Sequence, residues 1–464
     1  MKRTQLYFYV IIALMLLGAT SKRLTLIAVM ASAFMALVIS SENLEKSNEH
    51  ICKGIVLLLL MQNVCIGIGA HMFHNTDSSL QYLTQIPFIS TFVIWAVTCS
   101  KKLNVLSLKS PDTWFVILLF FIMLSISFGF GGFASSAVSI RNLTVFFMAY
   151  CIGRKNITSK ASMKRMIRYL ALCGISVTLI GIVIMAGGYA LYRNLGIHEV
   201  YIAKASPFPL NQLGGRFYTS LFSGRSLFRM GSIYYEPVNM GYFLSCCLLC
   251  CICDKSWGSR INRIIAISII GLGLILTFGK GGYLITAVGI ACVFIDSLVI
   301  KKKDNSKSRV ERNTVIIIMI IAAVFALNIY MNRYGYAVWT HIWAIQRTFR
   351  SIMMHPFGYG LGMGGNAAHV FSQSAGDWLS TGGETALLSF MFQIGVQGVI
   401  ALIGCFVAMS HCQSKTGSGI YKLFIYLPYI LIGVSIMQDN TFTPQCIIPF
   451  MIMQGGGFST QFCN

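Results

Sequence analysis

The sequence predicts an all-α polytopic membrane protein, one integral domain of about 14 (12–14) transmembrane helices with two long outer loops. Of its 464 residues 56% are hydrophobic and 11% charged, with mean hydropathy +0.70. A soluble domain has no use for so much apolar surface, because its outside must be polar. Apolar runs recur at lengths of roughly 17 to 24 residues, enough to cross a hydrocarbon core. Basic residues also segregate between alternate connections, as they do in bilayer proteins.

The predicted spans fall at 5–20, 24–40, 51–70, 81–99, 113–130, 137–153, 165–187, 237–253, 261–278, 282–300, 315–331, 384–409, 421–437 and 443–458. The first run also has the basic start, apolar stretch and small residues of a signal peptide. Reading it as a span is preferred, since its loss disturbs an orientation that suits every later loop. With both termini inside, the inner segments carry 24 of the 36 lysines and arginines. The opposite orientation places KKKDNSKSRVER outside and is rejected. The net charge of +22 is then mostly an inner flank attracted to anionic headgroups, and nucleic acid is not needed to explain it.

Cysteine usage points away from disulfides. None of the 15 cysteines falls in the long outer loops, and five lie in SCCLLCCIC at 245–253. Within a span cysteine acts as a small apolar residue. No histidine or carboxylate accompanies that cluster at ligand spacing, so no metal is expected there.

The first seven spans are joined by short connections and hold one conspicuous charge, Arg141 in AVSIRNLTVFF. A charge in a span is costly and usually faces the bundle interior; the alternative is an arginine snorkelling from the span's outer end. The first long loop, 188–236, has an irregular middle, KASPFPLNQLGGRF, whose prolines and glycines oppose a long helix. Pro237 suits the first turn of the next helix, which puts Glu236 beside a positive helix end. In the second loop, 332–383, Ile342, Ile345, Phe349 and Ile352 recur at helical spacing, with Trp343, Gln346, Arg347 and Arg350 on another face. That pattern predicts an amphipathic interfacial helix ended by His355-Pro356.

Eight basic residues stand on the wrong side of the charge rule: Arg193, Lys204, Arg216, Arg225 and Arg229 in the first loop, and Arg333, Arg347 and Arg350 in the second. Arginine holds phosphate bidentately, and the glycine-rich FGYGLGMGGNAAH offers backbone N–H groups for phosphate oxygens. A lipid-linked diphosphate sugar fits this combination. The competing reading pairs these cations with outer-leaflet headgroups, or with Glu199 and Asp377. Glu384 follows Thr381-Gly382-Gly383 and opens an apolar span. It is either a dipole partner or cap at a helix start, or a general base for a sugar hydroxyl.

At these residues the chain resembles the O-antigen ligase and polymerase superfamily, the Wzy-type polysaccharide polymerases above all. The likeness in motif detail covers roughly 225–400. Arg229-Met-Gly-Ser-Ile-Tyr-Tyr-Glu236-Pro237-Val-Asn239-Met-Gly241 is similar to the family's arginine–glycine–Glu-Pro-Asn element. LTFGKGGYL resembles its Thr-Phe-Ser-Arg-Gly turn, with Lys280 where arginine is usual. His355-Pro356-Phe-Gly358-Tyr-Gly360-Leu-Gly362 resembles the His-Pro-Leu-x-Gly-x-Gly stretch, and Glu384 through Gly395 and Gly398 resembles the last motif. A glutamate rather than histidine at 384 is more like the polymerases than the ligases.

The resemblance implies inverting, metal-independent glycosyl transfer on the outer face of a bacterial plasma membrane. The donor is a glycan on undecaprenyl diphosphate, and the acceptor a hydroxyl of the next lipid-linked repeat unit. In this scheme Glu384, Arg229 and Arg347 are catalytic. Arg225, Lys280, Arg350, Arg333, Arg216, Glu236 and Arg141 bind substrate, while His355 shapes its turn. No cofactor is expected, and no Asp-x-Asp pair occurs to hold a metal. A chain-length regulator in the same membrane is the protein partner that such a polymerase would have. The alternatives are an O-antigen ligase-type transferase and a lipid-linked oligosaccharide flippase. Loops of roughly 49 and 52 residues on one face favour chemistry at a surface over passage through the bundle.

Overall fold

The computed structural model describes residues 2–100, 103, 107–203, 217–221, 225–254, 257, 259–299, 336–371, 378–383, 385–412 and 420–462. Its long helices are α1 (Lys2–Gly18), α2 (Lys22–Glu42), α3 (Glu49–Met72), the short α4 (Leu80–Leu83) with α5 (Ile86–Thr98), α6 (Pro111–Ile126), α7 (Phe133–Asn156) and α8 (Lys160–Asn194). After the brief α9 (Ile197–Ala203) come strands β1 (Tyr218–Leu221) and β2 (Arg225–Phe228). The chain continues through α10 (Pro237–Cys253), α11 (Arg260–Thr277), α12 (Lys280–Val299), α13 (Tyr336–Met354), α14 (Gly365–Phe371), α15 (Ala386–His411), α16 (Ile420–Ser435) and α17 (Pro444–Phe462).

The all-α class therefore stands, and the architecture is that of a membrane protein. Every predicted span coincides with helix except 315–331, which lies outside the described residues. Among those residues six helices are long and apolar enough to cross a membrane: α2, α3, α7, α8, α11 and α15. Others, such as Ile86–Thr98 and Pro237–Cys253, are apolar but shorter. One departure from pure helix is the antiparallel pairing of β1 with β2 in the first long connection, Tyr218 opposite Phe228.

Helix ends sit where local chemistry puts them. The Ser21, Ser110 and Ser259 hydroxyls accept N–H groups of the first turns of α2, α6 and α11, satisfying donors that have no partner within a helix. Ser159 and Ser162 form a reciprocal capping box on α8. Gly188 interrupts α8 with φ 60°, a left-handed conformation cheap only for glycine. The break falls where the sequence places the start of the first long loop.

The core is organised around α7, buried continuously from Leu143 to Gly153. A helix buried on all sides belongs in a bundle interior. Phe147 stacks on Phe115 with centroids 3.9 Å apart, and Phe146 on Phe406 at 4.9 Å. Between helices this apolar, attraction rests on close packing and interhelical hydrogen bonds. Small residues supply that closeness: a Cβ on Gly153 would meet the Ile452 carbonyl of α17, and one on Gly455 the Tyr150 carbonyl of α7. Gly153→Ala gains about 1 kcal/mol of helix propensity. It loses about 1–3 kcal/mol by overpacking against a carbonyl that cannot rotate away. Net destabilisation is expected, read as a lower melting temperature of the purified protein; an unchanged or raised one overturns the packing argument.

Candidate functional site

A cavity of about 550 Å³ opens at the end of the bundle where the helices meet the two long connections. Its wall is assembled from the starts of α5, α7, α10, α15 and α17, with α14 beside them. Set among apolar side chains in its lining are the polar groups of Gln85, Arg141, Glu236, Asn239, Gln393 and Asp439. Tyr82, Phe88 and Phe133 add aromatic faces. Amides and carboxylates that can hydrogen-bond hydroxyls, set among rings that cover apolar ring faces, are suited to a sugar.

The amides hold the wall together through one another. Gln62 of α3 donates to the Thr84 carbonyl at 2.8 Å and accepts from Gln445 at 3.2 Å, while Asn239 donates to Gln445 at 2.7 Å. Gln393 accepts the Gly362 N–H at 2.9 Å and donates to the Ser389 carbonyl at 3.1 Å. Buried amides linked this way fix the relative positions of helices that dispersion alone would leave free to slide.

Arg141 lies eight residues into α7 and lines the same cavity. Its Nε donates to Asn142 Oδ1 at 3.1 Å and its Nη1 to Gln85 Oε1 at 2.9 Å. Both acceptors are neutral, and no carboxylate pairs with it among the described residues. The interior placement is thus the one adopted, not outward snorkelling. Glu236 is 5% exposed and lines the cavity without capping α10, whose cap position it occupies. Asp439 accepts a hydrogen bond from the Asn366 amide.

A second polar feature adjoins the cavity through the 229–239 segment. The Arg229 Nε donates to the Thr277 carbonyl at 3.0 Å, and the Met230 N–H to the Leu276 carbonyl at 2.9 Å. Arg229 is thereby fixed on the turn between α11 and α12, where Lys280 is exposed at the first position of α12. Gly241 and Gly279 approach within ordinary contact, 3.6 Å from ideal Cβ to Cα. Among the described residues the non-glycine residues with positive φ are His74, Ser232, Tyr235 and Phe278. The last three lie in this segment and turn. Strain of this kind costs about 1–3 kcal/mol per residue and concentrates at functional sites.

Other predicted residues are placed less centrally. Arg347 and Arg350 are exposed on α13 and line no part of the cavity. The helix predicted by periodicity is present as α13. Ala344, Thr348 and Ile352 are buried, whereas Phe349 is 54% exposed. The helix packs against Trp378–Thr381 and α15, and the small side chains of Ala344 and Thr348 permit that approach. The side chain of Arg225 lies outside the described residues, as do Lys204, Arg216, Arg333, Asp377 and Glu384 altogether. Glu384 is followed by Thr385, which takes the cap position of α15. Glu199 pairs with His71 at 3.0 Å.

In the glycine-rich stretch the N–H groups of residues 358–363 are taken up by the protein itself, while Gly364, Gly365 and Asn366 line the cavity. The Tyr359 and Gly360 N–H groups donate to the Phe392 and Gln393 carbonyls at 2.8 and 3.2 Å, and Leu361 N–H to the Gly129 carbonyl at 3.1 Å. The stretch wedges between the 129–131 loop and the break in α15 at Gly395, φ 73°. Its glycines at 358, 360 and 362 have positive φ, which is why alternate residues must be glycine. The His355 ring lies tilted against that of Tyr359 with centroids 4.5 Å apart, and the His355 carbonyl accepts the Gly358 N–H at 2.9 Å, which helps to form the turn. Sequence reasoning missed Gln62, Gln85, Gln445 and Asp439. The signal was present, since polar side chains within apolar spans are costly and usually functional or structural.

No family model matches the chain, and no curated protein does. The fold gives the class: an all-α membrane protein with a cavity at one end of its bundle that holds several polar side chains. No group of histidines, cysteines and carboxylates able to hold a metal occurs among the described residues.

Proposed function

We propose that the protein is a polysaccharide repeat-unit polymerase of the Wzy type, crossing a bacterial plasma membrane about fourteen times with both termini inside. The cavity then faces outward, on the side of the two long loops. The observation that carries this reading is convergence. Glu236 and Asn239, Gly364 and Gly365, and Ser389 and Gln393, from three segments far apart in sequence, line one cavity with Arg141, which has no ionic partner among the described residues; Arg229, in the first of these segments, bonds the turn before Lys280.

The reaction joins a hydroxyl oxygen of the acceptor repeat unit to the anomeric carbon of the donor glycan. The bond from that carbon to the diphosphate oxygen breaks, and undecaprenyl diphosphate leaves with the electron pair. Glu384 takes the hydroxyl proton. Arg229 and Lys280 neutralise the charge that develops on the leaving diphosphate, an effect largest where water is excluded. Arg347 and Arg350, beside Trp343 and Met354 on the exposed face of α13, meet the lipid headgroup region. The amide-lined cavity receives the sugars.

Purified protein given lipid-linked repeat units is expected to produce a ladder of longer chains on a gel and release undecaprenyl diphosphate. Arg229→Gln should reduce ladder formation by about 10²–10³-fold, the usual loss for one preorganised charge donor. Transfer of single units to a lipid core, with no ladder, would identify a ligase instead. A wild-type ladder from Arg229→Gln sinks the site assignment.

A further inference from the structure

The geometry of Arg141 points to something more specific than sugar binding. We propose that Arg141 and its amide neighbours form a second oxyanion subsite, distinct from the Arg229–Lys280 turn, which recognises an anionic group of the lipid-linked glycan. The inference rests on the polymerase reading for the identity of the ligand, and on Arg141 alone for its chemistry.

Arg141 stands eight residues, about 12 Å along the axis, from the start of α7 at Phe133. Its two hydrogen bonds engage Nε and one side of the guanidinium fork, through Asn142 and Gln85. Both partners are uncharged, and Nη2 has no acceptor among the described residues. The cavity does contain carboxylates, but neither Glu236 nor Asp439 forms an ion pair with Arg141. A cation in a helix of a bilayer protein is costly unless paired, and one without a protein counter-charge marks a ligand path. The free side of the fork suits two oxygens of one carboxylate or phosphate. A cavity of about 550 Å³ has room for such a group attached to a sugar.

Two sources supply that chemistry: an acidic sugar of the repeat unit, or the carrier diphosphate of one of the two substrates. Binding of three probes to the full-length protein in nanodiscs separates them: polyprenyl diphosphate, the same lipid bearing glucose, and the same lipid bearing glucuronate. Two variants remove the free charge differently. Arg141→Gln deletes it. Gln85→Glu leaves the arginine in place and supplies a carboxylate where the Oε1 now accepts at 2.9 Å, so the charge is occupied internally without opening a hole.

If the group is a sugar acid, the glucuronate probe binds about tenfold or more tightly than the glucose probe, and both variants abolish the difference. If it is the carrier diphosphate, all three probes bind alike and all weaken about tenfold in both variants. Either result supports the subsite. Equal binding by wild type, Arg141→Gln and Gln85→Glu overturns it, as does failure of all three probes to bind wild type. Arg229→Gln tests the other reading separately: unchanged diphosphate binding there, with loss in Gln85→Glu, removes the diphosphate from the turn and leaves the Arg141 subsite standing.

Discussion

Glu384→Gln is expected to reduce chain extension by about 10²–10⁴-fold, the range for removing a general base, while lipid-linked single repeat units accumulate. The amide nearly matches the carboxylate in shape, but it replaces one acceptor oxygen by a donor NH2 and cannot take a proton from a hydroxyl. Stability should change little, because Thr385 holds the cap position of α15 and its backbone N–H and hydroxyl both bond the Gly382 carbonyl, at 3.0 and 2.7 Å. The flanking turn is built by Gly382 and Gly383, with φ 111° and 51°, and Ala386 and Ser389 beyond it line the cavity. Glu384→Asp withdraws the carboxylate by one methylene and should cost about 10²-fold, as misplacement by about an ångström does. A base must be ionised, so activity of the wild type should fall as the pH is lowered and that fall should be absent from the residual activity of Glu384→Gln. Chain lengths on a gel and melting temperatures decide the matter together. Wild-type chains from Glu384→Gln make the carboxylate a mere dipole partner; short chains with a collapsed melting temperature make it structural.

The helices were legible because their cause is local: a run of apolar side chains either spans about 30 Å or does not. The Gly188 break and the end of α13 before His355 were legible for the same reason, each being set by one residue's backbone preference. Packing direction was not. Ile342, Ile345, Phe349 and Ile352 satisfy helical periodicity, yet the neighbour on that helix selects the small residues Ala344 and Thr348 and leaves Phe349 outside. Periodicity identifies a stripe, and only the partner decides whether a large or a small stripe fits. The hairpin of β1 and β2 escaped notice because four-residue strands in a polar loop carry almost no alternating signal.

The candidate site was legible in its chemistry and not in its arrangement. Arg229, Glu236 and Lys280 were singled out, and Arg229 does meet the turn before Lys280 through the Thr277 carbonyl. Grouping all eight loop cations around one diphosphate went further than charge counting permits. Arg347 and Arg350 stand on the exposed side of α13, and Arg141, a side candidate in the sequence, lines the cavity with neutral hydrogen-bond partners. The first half of the glycine-rich stretch shows that positive-φ residues able to cradle phosphates also let two backbones meet, as Gly360 meets Gly129.

At the opposite end of the bundle the largest stability effect is expected from the ion pair of Asp112 and Arg154. Arg154 Nη1 lies 3.0 Å from Asp112 Oδ1 and Nη2 3.2 Å from Oδ2, a bidentate pair with Asp112 1% and Arg154 20% exposed. The guanidinium also lies over the Tyr150 and Phe458 rings at 5.5 and 5.9 Å. The pair joins the first turn of α6 to the last turn of α7, with Phe458 of α17 packed beside it. Removing one partner strands the other charge, so Asp112→Asn should cost about 3–5 kcal/mol. The same principle makes the intact pair worth little more than apolar side chains of equal volume. Asp112→Leu combined with Arg154→Met should therefore recover most of the loss. The melting temperatures of the single and double variants provide the test, since distant effects add while a shared pair does not. A double variant as unstable as the sum of its parts would mean that each side chain acts alone: Asp112 through the α6 N-terminus, and Arg154 through the rings it covers.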